Sequence, residues 1–115
     1  MIEKVLADLN RVAGVNGSMV ASSDGLVVAE AVPPEVDPEI VGAIATTVYG
    51  SGERVIEEME LGELKQMLVE STDGKVVIIR VDDDALLVLI ADPDANLGLI
   101  RLKAREAAEE ISKQL

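Results

Sequence analysis

The residues that most invite a chemical reading are carboxylates and arginines. Asp92-Pro93-Asp94-Ala95-Asn96-Leu97-Gly98 sets side-chain oxygens at positions one, three and five, as a calcium-binding EF-hand loop does. Two later positions break the pattern. Glycine stands seventh rather than sixth, and the twelfth residue is Lys103, where a bidentate glutamate is required. The segment therefore reads as a strand-to-helix turn with Asn96 or Asp94 capping the helix. Asp82-Asp83-Asp84 has the charge to hold a hard cation, but three adjacent carboxylates on a hairpin tip cannot converge on one ion and are expected to be solvated. Acid–base work by paired carboxylates is disfavoured too, because these residues sit at turns and on exposed helix faces where nothing raises a pKa.

Other catalytic equipment is missing. The chain has no His and no Cys, which removes imidazole bases, thiolate nucleophiles, disulfides and nearly every zinc or haem ligand set. No serine has a histidine to activate it. Gly14-Val15-Asn16-Gly17 and Gly50-Ser51-Gly52 are the glycine-dense spots, and neither continues into a phosphate loop or a dinucleotide fingerprint. Arg11, Arg54, Arg80 and Arg101 are able to stabilise charge on a partner's substrate, with ordinary surface ion pairing as the competing reading. We assign no catalytic residue, metal or cofactor.

With 10 Lys+Arg against 22 Asp+Glu, the net charge of -12 opposes binding to nucleic acid phosphates or an anionic membrane. A basic patch on a protein fits that surface, as does simple solubility. The longest apolar run, Ala85 to Ala91, is far short of a membrane span, so no membrane insertion is expected. Met1-Ile2-Glu3-Lys4 carries no secretory or myristoylation signal, and the missing cysteines fit a reducing compartment, so a cytoplasmic location is expected. A chain of 115 residues fits one domain over 1–115, able to bury roughly two-thirds of its unfolded surface. Tyr49 is its sole aromatic residue, so the core must be aliphatic.

The elements that would position these residues follow from hydrophobic spacing. Ile2, Val5, Leu6, Leu9 and Ala13 share one helical stripe ending at Gly14. Gly17 to Ser22 and Leu26 to Ala31 form a hairpin around Ser23-Asp24-Gly25. Asp37-Pro38 opens a second helix, about Pro38 to Met59, as cap and first residue. Its apolar arc, with Ile40, Val41, Ile44, Val48, Val55 and Met59, is wider than one core contact needs. Gly42, Gly50 and Gly52 each weaken it by ~1 kcal/mol, implying close packing there, or a kink or early end near Gly50. Leu64 to Ser71, Lys75 to Val81 and Ala85 to Ala91 form an antiparallel meander, the first reading as an edge strand. The other two are apolar on both parities, so both faces of the sheet must be covered. A last helix begins near Asn96, with Leu97, Ile100, Ala104, Ala107, Ala108, Ile111 and Leu115 on one stripe. The expected class is α/β of the α+β kind: αββαβββα, a five-stranded antiparallel sheet with helices on both faces.

The Leu6-Ala7-Asp8-Leu9 helix, Gly14-Val15-Asn16-Gly17 leading into Ser23-Asp24-Gly25, and Asp94-Ala95-Asn96-Leu97-Gly98-Leu99-Ile100-Arg101 together resemble the roadblock/dynein light-chain family over essentially the whole chain. Ala95 to Arg101 is the most specific piece. The resemblance implies a profilin-like fold with sheet order 2-1-5-4-3, the first and third helices on one face and the second on the other. Similar family members dimerise through the third strand and second helix, and many regulate or tether Ras-like small GTPases. Others join dynein or lysosomal scaffold complexes. Carried onto this chain, the dimer seam comprises Ile44, Val48, Val55 and Met59 with Lys65, Gln66, Met67, Leu68 and Val69. Gly42, Thr46, Tyr49 and Glu53 are candidate partner contacts on the same helix.

Three functions remain open on this reading. The first is a non-enzymatic homodimer, or higher oligomer, that binds a Ras-like small GTPase. The second is a structural adaptor subunit of a motor or membrane-scaffold complex with no GTPase role. The third, a ligand-sensing domain, is opposed by an interior with no stacking surface for a flat cofactor.

Overall fold

The computed structural model describes residues 1–115. Its elements are α1 (Ile2–Leu9), β1 (Val15–Ser22), β2 (Val27–Ala31), α2 (Pro38–Glu58), β3 (Gln66–Glu70), β4 (Lys75–Asp82), β5 (Ala85–Ala91) and α3 (Leu97–Ser112). Every strand pairing is antiparallel, in the order β2-β1-β5-β4-β3. Element order and sheet order both match the expectation.

Strand β5 lies at the centre, and alternation along it feeds two cores. Leu87 and Leu89 join Val20, Val77 and Ile79 beneath α1 and α3, which contribute Leu6, Leu9, Ile100, Ala104 and Ile111. On the opposite face Leu86 and Val88 join Met19 and Ile78 beneath Ala45 and Tyr49 of α2. Small residues let the helices sit close to an aliphatic sheet.

Side-chain oxygens start both long helices. Asp37 Oδ1 accepts from the Glu39 N–H at 3.0 Å and the Ile40 N–H at 3.4 Å, with Pro38 in the first turn. Asn96 Oδ1 accepts from the Leu99 N–H at 3.1 Å. The stretch from Asp92 to Gly98 is thus a strand-to-helix turn, as read, and Asp92 Oδ1 accepts from Asn16 Nδ2 at 2.8 Å.

Several boundaries differ from the sequence reading, each for a physical reason. Helix α1 stops at Leu9, so Ala13 is exposed rather than on the helical stripe. Asn10 leaves the helix to tie three elements together: its Nδ2 donates to the Ala31 carbonyl at 2.8 Å, and its Oδ1 accepts from the buried Ser18 hydroxyl at 2.7 Å. Strand β1 starts earlier, at Val15, which pairs with Ala91. Strand β3 is shorter than expected: Leu64 and Lys65 precede it, and the Leu64 carbonyl accepts a hydrogen bond from Tyr49. Helix α3 ends at Ser112, leaving Leu115 exposed beyond the stripe.

Helix α2 runs unbroken through Gly50, so it does not end early there, and the glycines divide. A Cβ on Gly42 would stand 3.3 Å from both the Gly25 carbonyl oxygen and Met19 Cε, where the helix crosses the β1–β2 turn. A Cβ on Gly52 would stand 2.9 Å from Met67 Sδ. Gly50 meets nothing within 4 Å. Two of the three glycines therefore admit the sheet and its flanking segments within the same chain. Chemical denaturation of single variants should separate them: Gly50→Ala raises stability by roughly 0.5–1 kcal/mol, whereas Gly25→Ala, at φ +86° and 3.2 Å from Ala43 Cα, lowers it by at least ~1 kcal/mol.

Candidate protein-binding interface

Helix α2 carries two apolar stripes. The inner one, with Gly42, Ala45 and Tyr49, is buried against the sheet. The outer one follows Ile40, Ile44, Val55 and Met59, which are 58%, 57%, 55% and 64% exposed, with Val48 half-buried between them. A wide apolar arc is the sequence's signal for a second contact, and the outer part of that arc stays more than half exposed at Ile40, Ile44, Val55 and Met59.

Strand β3 lies beside this stripe at the sheet edge. Met67 and Val69 oppose Ile78 and Val76 and face α2, while Gln66 and Leu68 oppose Ile79 and Val77 on the other side. Val69, 46% exposed, completes an open groove of about 240 Å³ with Val41, Ile44, Val48, Val76 and Ile78, lined entirely by apolar side chains. Lys65 is exposed and precedes the strand, so it takes no part in the ladder.

The two edges of the sheet are built differently. Opposite β2 the register slips between Val20 and Ala21, leaving Val28 without a partner, and Asn10 caps the Ala31 carbonyl. A bulge and a side-chain cap of this kind deter further strand pairing. Strand β3 runs in unbroken register against β4, with no proline or bulge. Its outer backbone groups are a template for another strand.

At the C-terminal half of α2 the structure builds a cluster that sequence reasoning missed. Arg80 of β4 places its guanidinium 5.2 Å from the Tyr49 ring centroid. Its Nη2 donates to Glu53 Oε2 at 2.8 Å, and its Nη1 donates to the Asp82 and Asp83 carbonyls at 3.1 and 3.4 Å. Tyr49, 1% exposed, donates its hydroxyl to the Leu64 carbonyl at 3.0 Å. Burial pushes the phenol pKa up, opposed chiefly by the positive charge of Arg80. The partners lie far apart in sequence, and only the isolated aromatic on an apolar arc signalled the cluster.

The structure divides the four candidate partner contacts. Gly42 and Tyr49 are buried, because both lie on the inner stripe with Ala45. Thr46 is half-buried and donates to the Ala43 carbonyl at 3.0 Å, and Glu53 is held by Arg80. Thr46 and Glu53 keep partial exposure, whereas Gly42 and Tyr49 have none to offer a partner. Among the arginines, Arg80 is committed to this cluster and Arg54 pairs with Glu58 at 3.3 Å on the exposed helix surface. The triple-aspartate tip is closed by the Asp84 N–H donating to Asp82 Oδ1 at 2.8 Å, and no group of three metal-ligating side chains converges anywhere.

A family model described as the Roadblock/LC7 domain matches residues 1–91. The chain belongs to the Roadblock/LC7 family. The match ends before Ala95, so the segment on which the resemblance leaned most lies outside it. An uncharacterised protein of Methanocaldococcus jannaschii is 42% identical over 111 residues, covering 96% of each chain. Among solved structures, a Roadblock/LC7 domain from Streptomyces avermitilis superposes with a TM-score of 0.91 at 17% identity, over 97% of this chain and 95% of its own. Myxococcus xanthus MglB gives 0.90 at 19% identity, over 97% and 92%. Profilin IB of Acanthamoeba castellanii, at 0.71 and 12% identity over 99% and 98%, shows that the fold is profilin-like. No helix of this Roadblock/LC7 chain is long and apolar enough to cross a membrane.

The Tyr49 cluster has a pH signature. A phenol whose folded-state pKa is raised above its ordinary value of about 10 contributes stability below that pH and loses it as pH rises. Tyr49→Phe should cost about 0.5–1.5 kcal/mol at neutral pH and remove part of the alkaline loss of stability. Tyr49→Ala should cost about 3–5 kcal/mol. Denaturation midpoints between neutral and alkaline pH check all three.

Proposed function

We propose that this Roadblock/LC7 chain is a non-enzymatic homodimer that binds a Ras-like small GTPase and regulates its nucleotide cycle or its location. The observation that carries the reading is the outer stripe of α2 lying beside an unblocked β3 edge. An exposed aliphatic stripe and an unpaired edge strand are both liabilities for a lone chain, and one self-complementary contact removes them together. The seam comprises Ile44, Val48, Val55 and Met59 on α2 with Met67 and Val69 on β3, while Gln66 and Leu68 lie on the other face of the strand. The absence of His and Cys leaves the chain without a thiolate nucleophile or an imidazole base, and support for a binding role comes from its family.

The GTPase as partner follows from the family resemblance set out above. Such a dimer acts by binding one nucleotide state better than the other, and its effect on the cycle is limited to that difference in affinity.

Pull-downs with Ras-like GTPases of the same source, loaded with GDP or a non-hydrolysable GTP analogue, test the partner. Nucleotide-dependent retention, with a change in hydrolysis or exchange rate, is the expected result. Retention in neither state overturns the GTPase reading and leaves the adaptor. For the dimer, Val55→Glu combined with Val69→Glu, both at exposed positions, should weaken self-association at least about tenfold while circular dichroism stays native. An unchanged sedimentation profile would sink the seam. Met67 is a poorer probe because it packs under Gly52.

A further inference from the structure

The face of the sheet away from α2 is covered unevenly. Helix α1 packs over β1 and β2 and α3 over β4, while β3, at the edge beyond α3, keeps Gln66 and Leu68 half-buried and Glu70 exposed. Between α3, β4 and the segment entering β3 lies an open groove of about 790 Å³, with Ile79, Val81 and Ala108 among its lining. Leu68 extends that apolar floor along β3.

The charges around this groove are unlike those of the chain as a whole. Of the 10 Lys+Arg, set against 22 Asp+Glu, Lys4, Arg54, Arg80 and Lys103 are held in ion pairs. Nearly all the unpaired ones gather here. Lys65, Arg105 and Lys113 line the groove, and Arg101 stands one turn before Arg105 on the same exposed flank of α3. Lys75 shares the face of Val77 and Ile79 on β4, which leaves Arg11 as the one unpaired cation elsewhere. Carboxylates are present as well: Asp82 and Asp83 lie at the turn end, where Asp82 closes the tip, and Glu63, Glu70 and Glu109 are exposed. None of them forms an ion pair with these five cations.

The chemistry of the occupant follows from the two halves of the groove. A net charge of -12 repels nucleic acid or an anionic membrane at long range, and a bare phosphate makes no use of an apolar floor. A polypeptide segment that carries Asp or Glu beside aliphatic or aromatic side chains uses both. Gln66 points the same way. It lies on this face opposite Ile79, and its buried Oε1 has no donor in the chain. A turn of the terminal amide toward the groove satisfies it only if the occupant brings N–H groups, which a polypeptide has and a phosphate lacks.

We propose that the groove between α3 and β3 is a docking site for an acidic, amphipathic segment of another protein, its carboxylates meeting Arg101 and Arg105 and its apolar side chains covering Leu68 and Val81. The site is complete within one chain. Because it lies on the opposite face of the sheet from α2, it stays available whether or not the α2 stripe is covered.

Panning a random peptide-display library on the full-length chain supplies the probes, which are then synthesised and titrated by fluorescence anisotropy. The recovered peptides should combine Asp or Glu with aliphatic or aromatic residues and should weaken as salt rises. Charge reversal by Arg101→Glu with Arg105→Glu should weaken them at least about tenfold, and Arg101→Lys with Arg105→Lys should largely retain them. Both positions are exposed, so circular dichroism of these variants should stay native. Val55→Glu, on the α2 face, should leave the affinity unchanged. No recovered binder, a pool of basic or uncharged peptides, equal binding to the charge-reversed chain, or a loss on Val55→Glu instead would each overturn the site. Heparin that binds the native chain more tightly than the peptides, and is lost on charge reversal, would make the groove a polyanion site and overturn the polypeptide as its occupant.

Discussion

Strand β5 is apolar on both faces, and covering both of them is the requirement from which the rest of the fold follows. Leu87 and Leu89 need one lid, and Leu86 and Val88 need another. Helices α1 and α3 supply the first and α2 the second, with alanine and glycine at the closest approaches because no aromatic residue but Tyr49 is present to fill space. Once both faces are covered, the sheet has only its edges left to manage. That is where this chain stops being symmetrical.

One edge is closed and the other is not. At β2 a bulge and the Asn10 side chain interrupt the row of free backbone groups. At β3 nothing does, and the helix alongside is too apolar for a surface it does not bury. Arg80 bears on the same region from behind. By holding Glu53, two turn carbonyls and the face of Tyr49, it fastens the C-terminal half of α2 to β4. Tyr49 in turn fastens the segment entering β3. The open edge and the exposed stripe are therefore presented by a rigid base, which is what a docking surface needs if little ordering entropy is to be lost on association.

Much of this was legible in the sequence because the signals are local. Runs apolar on both parities required two covered faces, Asp37-Pro38 marked the start of α2, and the excess width of its apolar arc marked the surface with no partner in the chain. What was not legible depends on contacts between distant segments. Nothing near Leu64 announces that its carbonyl will be taken by Tyr49, so the pattern extends β3 past its true start and places Lys65 inside it. Tyr49 sits at the boundary of an apolar arc, where a helical projection cannot distinguish a buried ring from an interface anchor; Arg80 and the sheet decide it. The β2 bulge carries no glycine or proline to mark it. Their cost in a helix interior marks Gly42 and Gly52 as packing sites, as they are, but the same reasoning gives no account of Gly50, whose surroundings are open.

The central claim is that β3, and not β2, is the edge this chain uses to meet another copy. Amide hydrogen exchange followed residue by residue, at protein concentrations below and above the self-association range, addresses it most directly. The outward-facing amides of Gln66–Glu70 should become protected as concentration rises, together with slower exchange in the adjoining half of α2, while those of Val27–Ala31 stay unchanged. Rapid exchange along β3 at every concentration, or protection that grows at β2 instead, would contradict it.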